Sequence, residues 1–381
     1  MYFLTSNDPD YTIKGSRDPL GFQVLWQATG RKIIPHLSTV SVSIIDFQIM
    51  CIASYVRHER KMNDETFRVF FNRLEKLMGY ARLKKNSSEG FNGIDRLRKL
   101  LSSSSSSVYC SDSVEILSNQ RAYGIWGKYN RPFTDSGIVQ TAGFYELMKA
   151  KLKAVPKFEN IVARLIKPGP SESIKFKKDE LDGLFPLIAT PLGDERALFV
   201  KALLCDNCDD ALLTIMDAHP SLKNHTDFFS LIDAATETSK NDQLRFYLSQ
   251  IKRTEKILCP ISRIFRHLQT RSYWKKYELE LFELPQIIPA EDASDLETTV
   301  QKLNSILAMP KLSQIEGVIS RNEETAQKRK SAAWMINREN GLEVNHFEGA
   351  MPIDGYLPDV ACDNYYFIPS FLNIHRQLNN A

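Results

Sequence analysis

Apolar residues recur at intervals of three and four along most of this chain, a spacing that lines one face of a helix and not one face of a strand. Phe67, Phe70, Phe71, Leu74, Leu77 and Met78 follow it after Asn63-Asp64-Glu65, which supplies a cap and a negative first turn. Ile45, Ile49, Ile52 and Val56 make a second stripe, although the alternation of Val40, Val42 and Ile44 just before it admits a short strand. Phe144, Leu147 and Met148 open a further helix, and Pro156 leads into one with Phe158, Ile161, Val162 and Leu165 on a common face. Beyond residue 180 the helices become short and successive, with starts near Asp194, Asp209, Thr226 and Asp242, each a capping type ahead of an apolar stripe. No fixed period links them. The expected fold is mainly α, an irregular multi-helix array.

The period changes once. Leu312, Ile315 and Ile319 begin a helix that runs into the basic stretch Gln327-Lys328-Arg329-Lys330. AWMIN, Arg338-Glu339-Asn340-Gly341 and LEVNHF then read as a short β-hairpin near the C-terminus, its turn marked by Asn-Gly. A helix followed by a hairpin is either a winged-helix ending or a small cap on a helical domain. The cap is the preferred reading, because fold analogy does not establish function. The aromatic tail at Tyr365, Tyr366 and Phe367 is expected to pack back on the body.

With 381 residues and 43% apolar content, the chain can bury one large core or two to three ordinary ones. Pro168-Gly169-Pro170-Ser171 stops the helix carrying Leu165 and is the expected boundary. It separates an N-terminal helical domain, 1–167, from a C-terminal helical domain, 171–381, that carries the hairpin. Residues 102–113 contain eight serines, six of them consecutive, which reads as a surface loop. No run of 18 apolar residues occurs, so no membrane span is expected, and the start MYFLTSNDPDY lacks the pattern of a signal peptide. Six scattered cysteines do not form a disulfide framework and read as small buried hydrophobes in a reducing cytoplasm.

A net charge of only +3 hides strong segregation. Residues 57–99 hold 12 basic and 6 acidic side chains, and residues 178–242 hold 5 basic and 13 acidic ones. Residues 245–276 hold 9 basic and 1 acidic, and residues 278–297 hold 7 acidic and none basic. On a helix, Arg263, Arg266 and His267 project opposite Ile261, Ile264, Phe265 and Leu268. Arg271, Lys275 and Lys276 follow, interleaved with Tyr273 and Trp274. Arginine forks reach phosphate oxygens and neighbouring aromatics stack on exposed bases. Lys252, Arg253, Arg263, Arg266, Arg271, Lys275 and Lys276 are therefore the candidate nucleic-acid contacts. The competing reading has these charges meeting the acidic blocks on either side, within this chain or in a partner.

Motifs for chemistry are sparse. Gly124-Ile125-Trp126-Gly127-Lys128-Tyr129 has a Gly-Lys pair without the spacing or the Ser/Thr of a phosphate loop. Cys205-Asp206-Asn207-Cys208 is a lone CxxC, with His219 and His225 outside the usual zinc framing. Asp194, Glu195 and Lys201 are the best carboxylate-lysine set for a metal nuclease, yet they fall at a helix start where acids simply suit the dipole. No catalytic residue, metal site or cofactor is expected.

Two N-terminal stretches crowd aromatics, Gly and Arg into expected loops: Asp18-Pro19-Leu20-Gly21-Phe22-Gln23 with Trp26, Gly30-Arg31 and Pro35–Thr39, and Ile116–Arg121 with Tyr123, Trp126, Tyr129, Pro132 and Ser136-Gly137. The alternative is an aromatic plug that packs each loop on the helices. These blocks resemble the N-terminal regions of helical accessory proteins in bacterial multi-gene anti-phage defence systems. That resemblance covers about the first third of the chain and implies a subunit working beside a separately encoded ATPase or nuclease. The expected function is thus a helical adaptor, contacting nucleic acid through the basic block and a partner protein through the acidic ones. The alternatives are a nuclease or other hydrolase with a site assembled from distant residues, and a purely structural oligomer subunit.

Overall fold

A computed structural model describes residues 14–87, 91–103, 106–111, 115–166, 173–205, 208–224, 227–281, 289–290, 292–353 and 361–379. The described chain is mainly helical with two small sheets. It forms two compact units, Met1–Ile33 with Thr214–Tyr366, and Ile34–Leu213 with Phe367–Ala381. The Pro-Gly-Pro-Ser stretch expected as a boundary lies outside the described residues, and the elements on its two sides belong to the same unit.

The first helix, α1 (Phe22–Gly30), occupies a stretch expected to be loop. Its start is built by Asp18, whose carboxylate accepts from the backbone N–H groups of Phe22 (2.9 Å) and Gln23 (3.2 Å). Gly21 makes the turn at φ 70°, a conformation that suits glycine, and a Cβ there would meet the Arg321 guanidinium at 2.9 Å.

The second unit opens with α2 (Ile44–Glu59) and α3 (Asp64–Lys84). Asn63 caps α3 through Thr66 N (2.8 Å). No strand forms at Val40–Ile44; Ser43 is extended only as the residue ahead of α2. Then come α4 (Ile94–Ser103), β1 (Ser107–Cys110), α5 (Gln120–Tyr123), α6 (Ile125–Asp135), α7 (Phe144–Lys153), α8 (Phe158–Ile166), β2 (Ile174–Lys177) and α9 (Gly193–Leu204). The serine run is therefore partly the end of α4 and the start of β1, which pairs antiparallel with β2. The second aromatic block is helical too: Trp126 packs edge-on against Phe67 and Phe71, and Tyr129 is fully buried.

Four charged residues of α3 are buried, Arg73, Glu75, Lys76 and Arg82, and each meets a specific group. Arg73 donates to Leu165 O (2.9 Å), Glu75 accepts from Ile125 N (2.7 Å), Lys76 donates to Ser111 O and Arg82 pairs with Asp46. Such groups are tolerated inside only when paired and hydrogen-bonded.

The boundary between units falls in α10 (Cys208–Ala218), and the first unit continues with α11 (Phe228–Thr238), α12 (Asp242–Leu268), β3 (Tyr273–Lys275), α13 (Lys276–Leu281), α14 (Thr298–Leu307), α15 (Lys311–Arg329), β4 (Met335–Arg338) and β5 (Gly341–Val344). Its core gathers Leu20, Phe22 and Leu25 with Ile257, Ile261, Ile264, Phe265 and Leu268 of α12, Val300 and Leu303 of α14, Ile315 and Val318 of α15, and Trp334. The hairpin is present as expected, but β5 also pairs with β3, giving the antiparallel order β3-β5-β4. The hairpin is thus completed into a three-stranded sheet by the short strand that follows α12. The last helix, α16 (Ile368–Asn379), belongs to the second unit, while Tyr366 is buried in the first.

Candidate nucleic-acid interface

The basic block of α12 and β3 does not form an unpaired face. Lys252 reaches Asp233 at 2.5 Å. Arg253 grips Asp295 with both guanidinium nitrogens at 2.6 Å and also donates to Asp292 O (2.7 Å). Arg263 and Arg266 converge on Asp363 at 2.9 and 3.5 Å, and Arg266 donates to Met351 O (2.8 Å). Arg271 lies 3.1 Å from Glu278, over the face of Trp274. Five of the seven candidates are thus matched to carboxylates of the same unit, which is the competing reading of the charge blocks. Lys275 and Lys276 are exposed, and neither makes an ion pair among the described residues. They share a shallow depression with Tyr273, Tyr277, Glu280 and Glu339, so the local charge is balanced.

Other chemistry weighed from sequence resolves into structure. Glu195 pairs with Lys151 and accepts from Gln48 (3.0 Å), which makes it a brace of the second unit. Asp206, Asn207 and His225 lie outside the described residues. Among the described residues, no three His, Cys, Asp or Glu side chains group closely enough to hold a metal ion.

What the first unit does assemble is a cavity of about 570 Å³. One wall is the Asp18–Trp26 stretch, placed by α15: Arg321 donates to Leu20 O (2.8 Å), Asn322 to Pro19 O (2.9 Å), and Arg329 pairs with Asp18 (2.7 Å). Asn322 is fully buried and its carbonyl accepts from Trp334 N (3.0 Å) and Met335 N (3.1 Å), so one amide ties α15 to both the N-terminal turn and the hairpin. The second wall is α12, through Ser262, Phe265, Arg266 and the buried Gln269 just past its end. The third is the turn at Asp363 and Asn364. Glu255 of α12 holds it, accepting from Asp363 N (2.6 Å), Asn364 N (3.0 Å), Asn364 Nδ2 (3.0 Å) and the Tyr366 hydroxyl (2.9 Å). Burial pushes the Glu255 carboxyl up to about 7 even against those four donors.

Aromatic rings of Phe22, Trp26, Phe265 and Trp334 contribute to the lining, with Trp26 half-buried. Polar groups converge among them. Among the described residues, Oε1 of Gln269 and Oδ2 of Asp363 are buried without a hydrogen-bond partner. Arg17 stands at the rim, exposed. Lys14, Lys328 and Lys330 are its neighbours through the chain, because Gly15 bridges Ala332 and Arg329 donates to Ser16 and Asp18. All four cations are exposed and without an ion pair among the described residues. Sequence reading began this motif at Asp18 and so passed over Lys14 and Arg17. The signal available was KGSRDP near the N-terminus and QKRK three hundred residues later, with nothing to say that they meet. No protein-family model, curated protein or solved structure matches the chain.

Proposed function

We propose that this chain is a helical adaptor whose first unit contacts nucleic acid through the exposed cations Lys14, Arg17, Lys328 and Lys330, and not through the arginines of α12. The observation that supports the reading is four exposed cations without ion pairs among the described residues, carried by two segments that the Gly15–Ala332 bridge joins, with Arg17 lining an aromatic-walled cavity. Cations already matched to carboxylates release few counterions on binding; unmatched ones supply most of the salt-sensitive affinity. Away from Lys328 at its C-terminal end, α15 exposes Glu316 and Glu324, which disfavours docking on phosphates at those positions. The setting follows from the resemblance above: a multi-protein bacterial complex of anti-phage defence, with a separately encoded ATPase or nuclease as partner.

The test is binding of the full chain to DNA and RNA across a salt series. Replacing Lys14, Arg17, Lys328 and Lys330 together by Ala is expected to flatten the log-log salt slope by about 3 on single strands, at roughly 0.7 per phosphate contact. Identical slopes for the two proteins, or no salt-sensitive binding at all, would reject the proposal.

A further inference from the structure

We infer that the cavity beside those cations takes one unstacked base of a single-stranded nucleic acid, so that the chain recognises single strands or frayed ends in preference to closed duplex. The inference rests on the proposed nucleic-acid contact and deepens it. Its volume of about 570 Å³ falls in the range of roughly 300–1,000 Å³ typical of small-ligand clefts. A base needs a flat apolar surface for its ring face and polar groups for its edge. Trp26, half-buried on one wall, offers the first, backed by Phe22 and Phe265. Gln269 and Asp363 offer the second.

Gln269 carries the most weight. The residue is only 3% exposed, it lines the cavity, and its Oε1 has no hydrogen-bond partner among the described residues. A buried amide left unpaired costs free energy that a ligand group would recover. Asp363 adds an acceptor: Oδ1 is held by Arg263 and Arg266, while the buried Oδ2 is unpartnered among the described residues. An acceptor and an amide lining one cavity, the amide able both to donate and to accept, match the Watson–Crick edge of a base bearing an amino group. In a closed duplex that edge is already paired and its ring faces are stacked, so only an extruded or single-stranded base can enter. Arg17, exposed in the cavity lining, lies where the sugar-phosphate chain of such a base would leave.

The experiment compares a twelve-residue single-stranded DNA of mixed sequence, the same strand annealed to its complement with blunt ends, and the same strand with all bases removed at alternate positions. Full-length wild type, Trp26→Ala and Gln269→Leu are titrated with each, after circular dichroism shows that the variants are folded. The expected result is single-strand binding about tenfold tighter than duplex binding, and loss of about that factor in Trp26→Ala. Gln269→Leu, which keeps the volume, should weaken single-strand binding severalfold without changing the salt slope. Equal affinity for single strand and duplex, with both variants like wild type, would overturn the inference while leaving the exposed-cation proposal standing. Loss of binding only when the exposed cations are removed, with the stripped strand bound as well as the intact one, would do the same.

Discussion

Glu255 is where acidity and architecture of the first unit are most tightly joined. Its carboxylate accepts four hydrogen bonds, from two backbone N–H groups, Asn364 and Tyr366, yet burial dominates and raises it to about 7 from an ordinary value of 4.5. In the unfolded chain the carboxyl has lost its proton by the time pH passes its ordinary range, whereas in the folded chain it keeps it until near neutrality. Folding therefore takes up a proton between those values, and stability falls as pH rises through that window and levels off above it. At 1.36 kcal/mol per unit, with the shift weighted by ionisation at each end, the loss between pH 5 and pH 8 is about 2 to 3 kcal/mol. Glu255→Gln removes the proton uptake while keeping the shape, so its stability should vary less over the same range by about that amount. The variant also pays, since its amide faces donors at Asn364, about 1–3 kcal/mol. Three of the four tryptophans, Trp26, Trp274 and Trp334, lie in this unit. Urea unfolding followed by tryptophan fluorescence at pH 5, 6, 7 and 8 therefore reports on it directly. Parallel pH profiles for wild type and Glu255→Gln would refute the argument, because any residual slope would then belong to other groups.

Two further perturbations separate structural charge from binding charge. Arg253→Ala should cost about 1–3 kcal/mol of stability by releasing Asp295 and Asp292, with the salt slope of nucleic-acid binding unchanged; chemical denaturation and the salt series read the two effects separately. In the second unit, Asp46→Ala leaves the Arg82 guanidinium buried without its carboxylate and should cost about 3–5 kcal/mol, whereas the Asp46→Leu, Arg82→Met pair should recover much of that loss. Hydrogen exchange of the α2 and α3 amides measures both outcomes.

The helical architecture was legible because burial imposes periodicity. α3, α8, α12, α14 and α15 each carry an apolar stripe at helical spacing, and α12 begins at the expected Asp242. Where reading went wrong, one-dimensional cues stood for three-dimensional ones. Gly127 and Pro132 read as loop residues, yet both lie in α6. The glycine is there because a Cβ would sit 2.0 Å from Ala122 O, so a close approach, and not a turn, selects it. α1 was hidden in the same way, since the carboxylate that accepts from its first N–H groups is Asp18, four residues before Phe22, acting across Pro19 and Gly21. The candidate site was legible only in part. Arg266 was singled out and does line the cavity, but Gln269, Asp363 and Arg17 were not. Counting charges treats each as solvated. In α3 the counted cations Arg73, Lys76 and Arg82 are inside the protein, answering groups 92, 35 and 36 residues away.

Charge segregation along a sequence is thus better evidence of internal pairing than of an external ligand when blocks of opposite sign adjoin. Residues 245–276 sit between two acidic blocks, and the fold returns both to them: Asp233 from the preceding block meets Lys252, and Glu278 and Asp295 from the following block meet Arg271 and Arg253. Each block satisfies its neighbour because loop closure over short separations costs little entropy. Lys14, Arg17, Lys328 and Lys330 are exposed and without an ion pair among the described residues, and a parallel bridge between Gly15 and Ala332 joins the two segments that carry them. Unpaired charge concentrated by a long-range contact is the arrangement that solvation and chain entropy alone would not produce, which is why the binding surface is sought there and not on the denser run in α12.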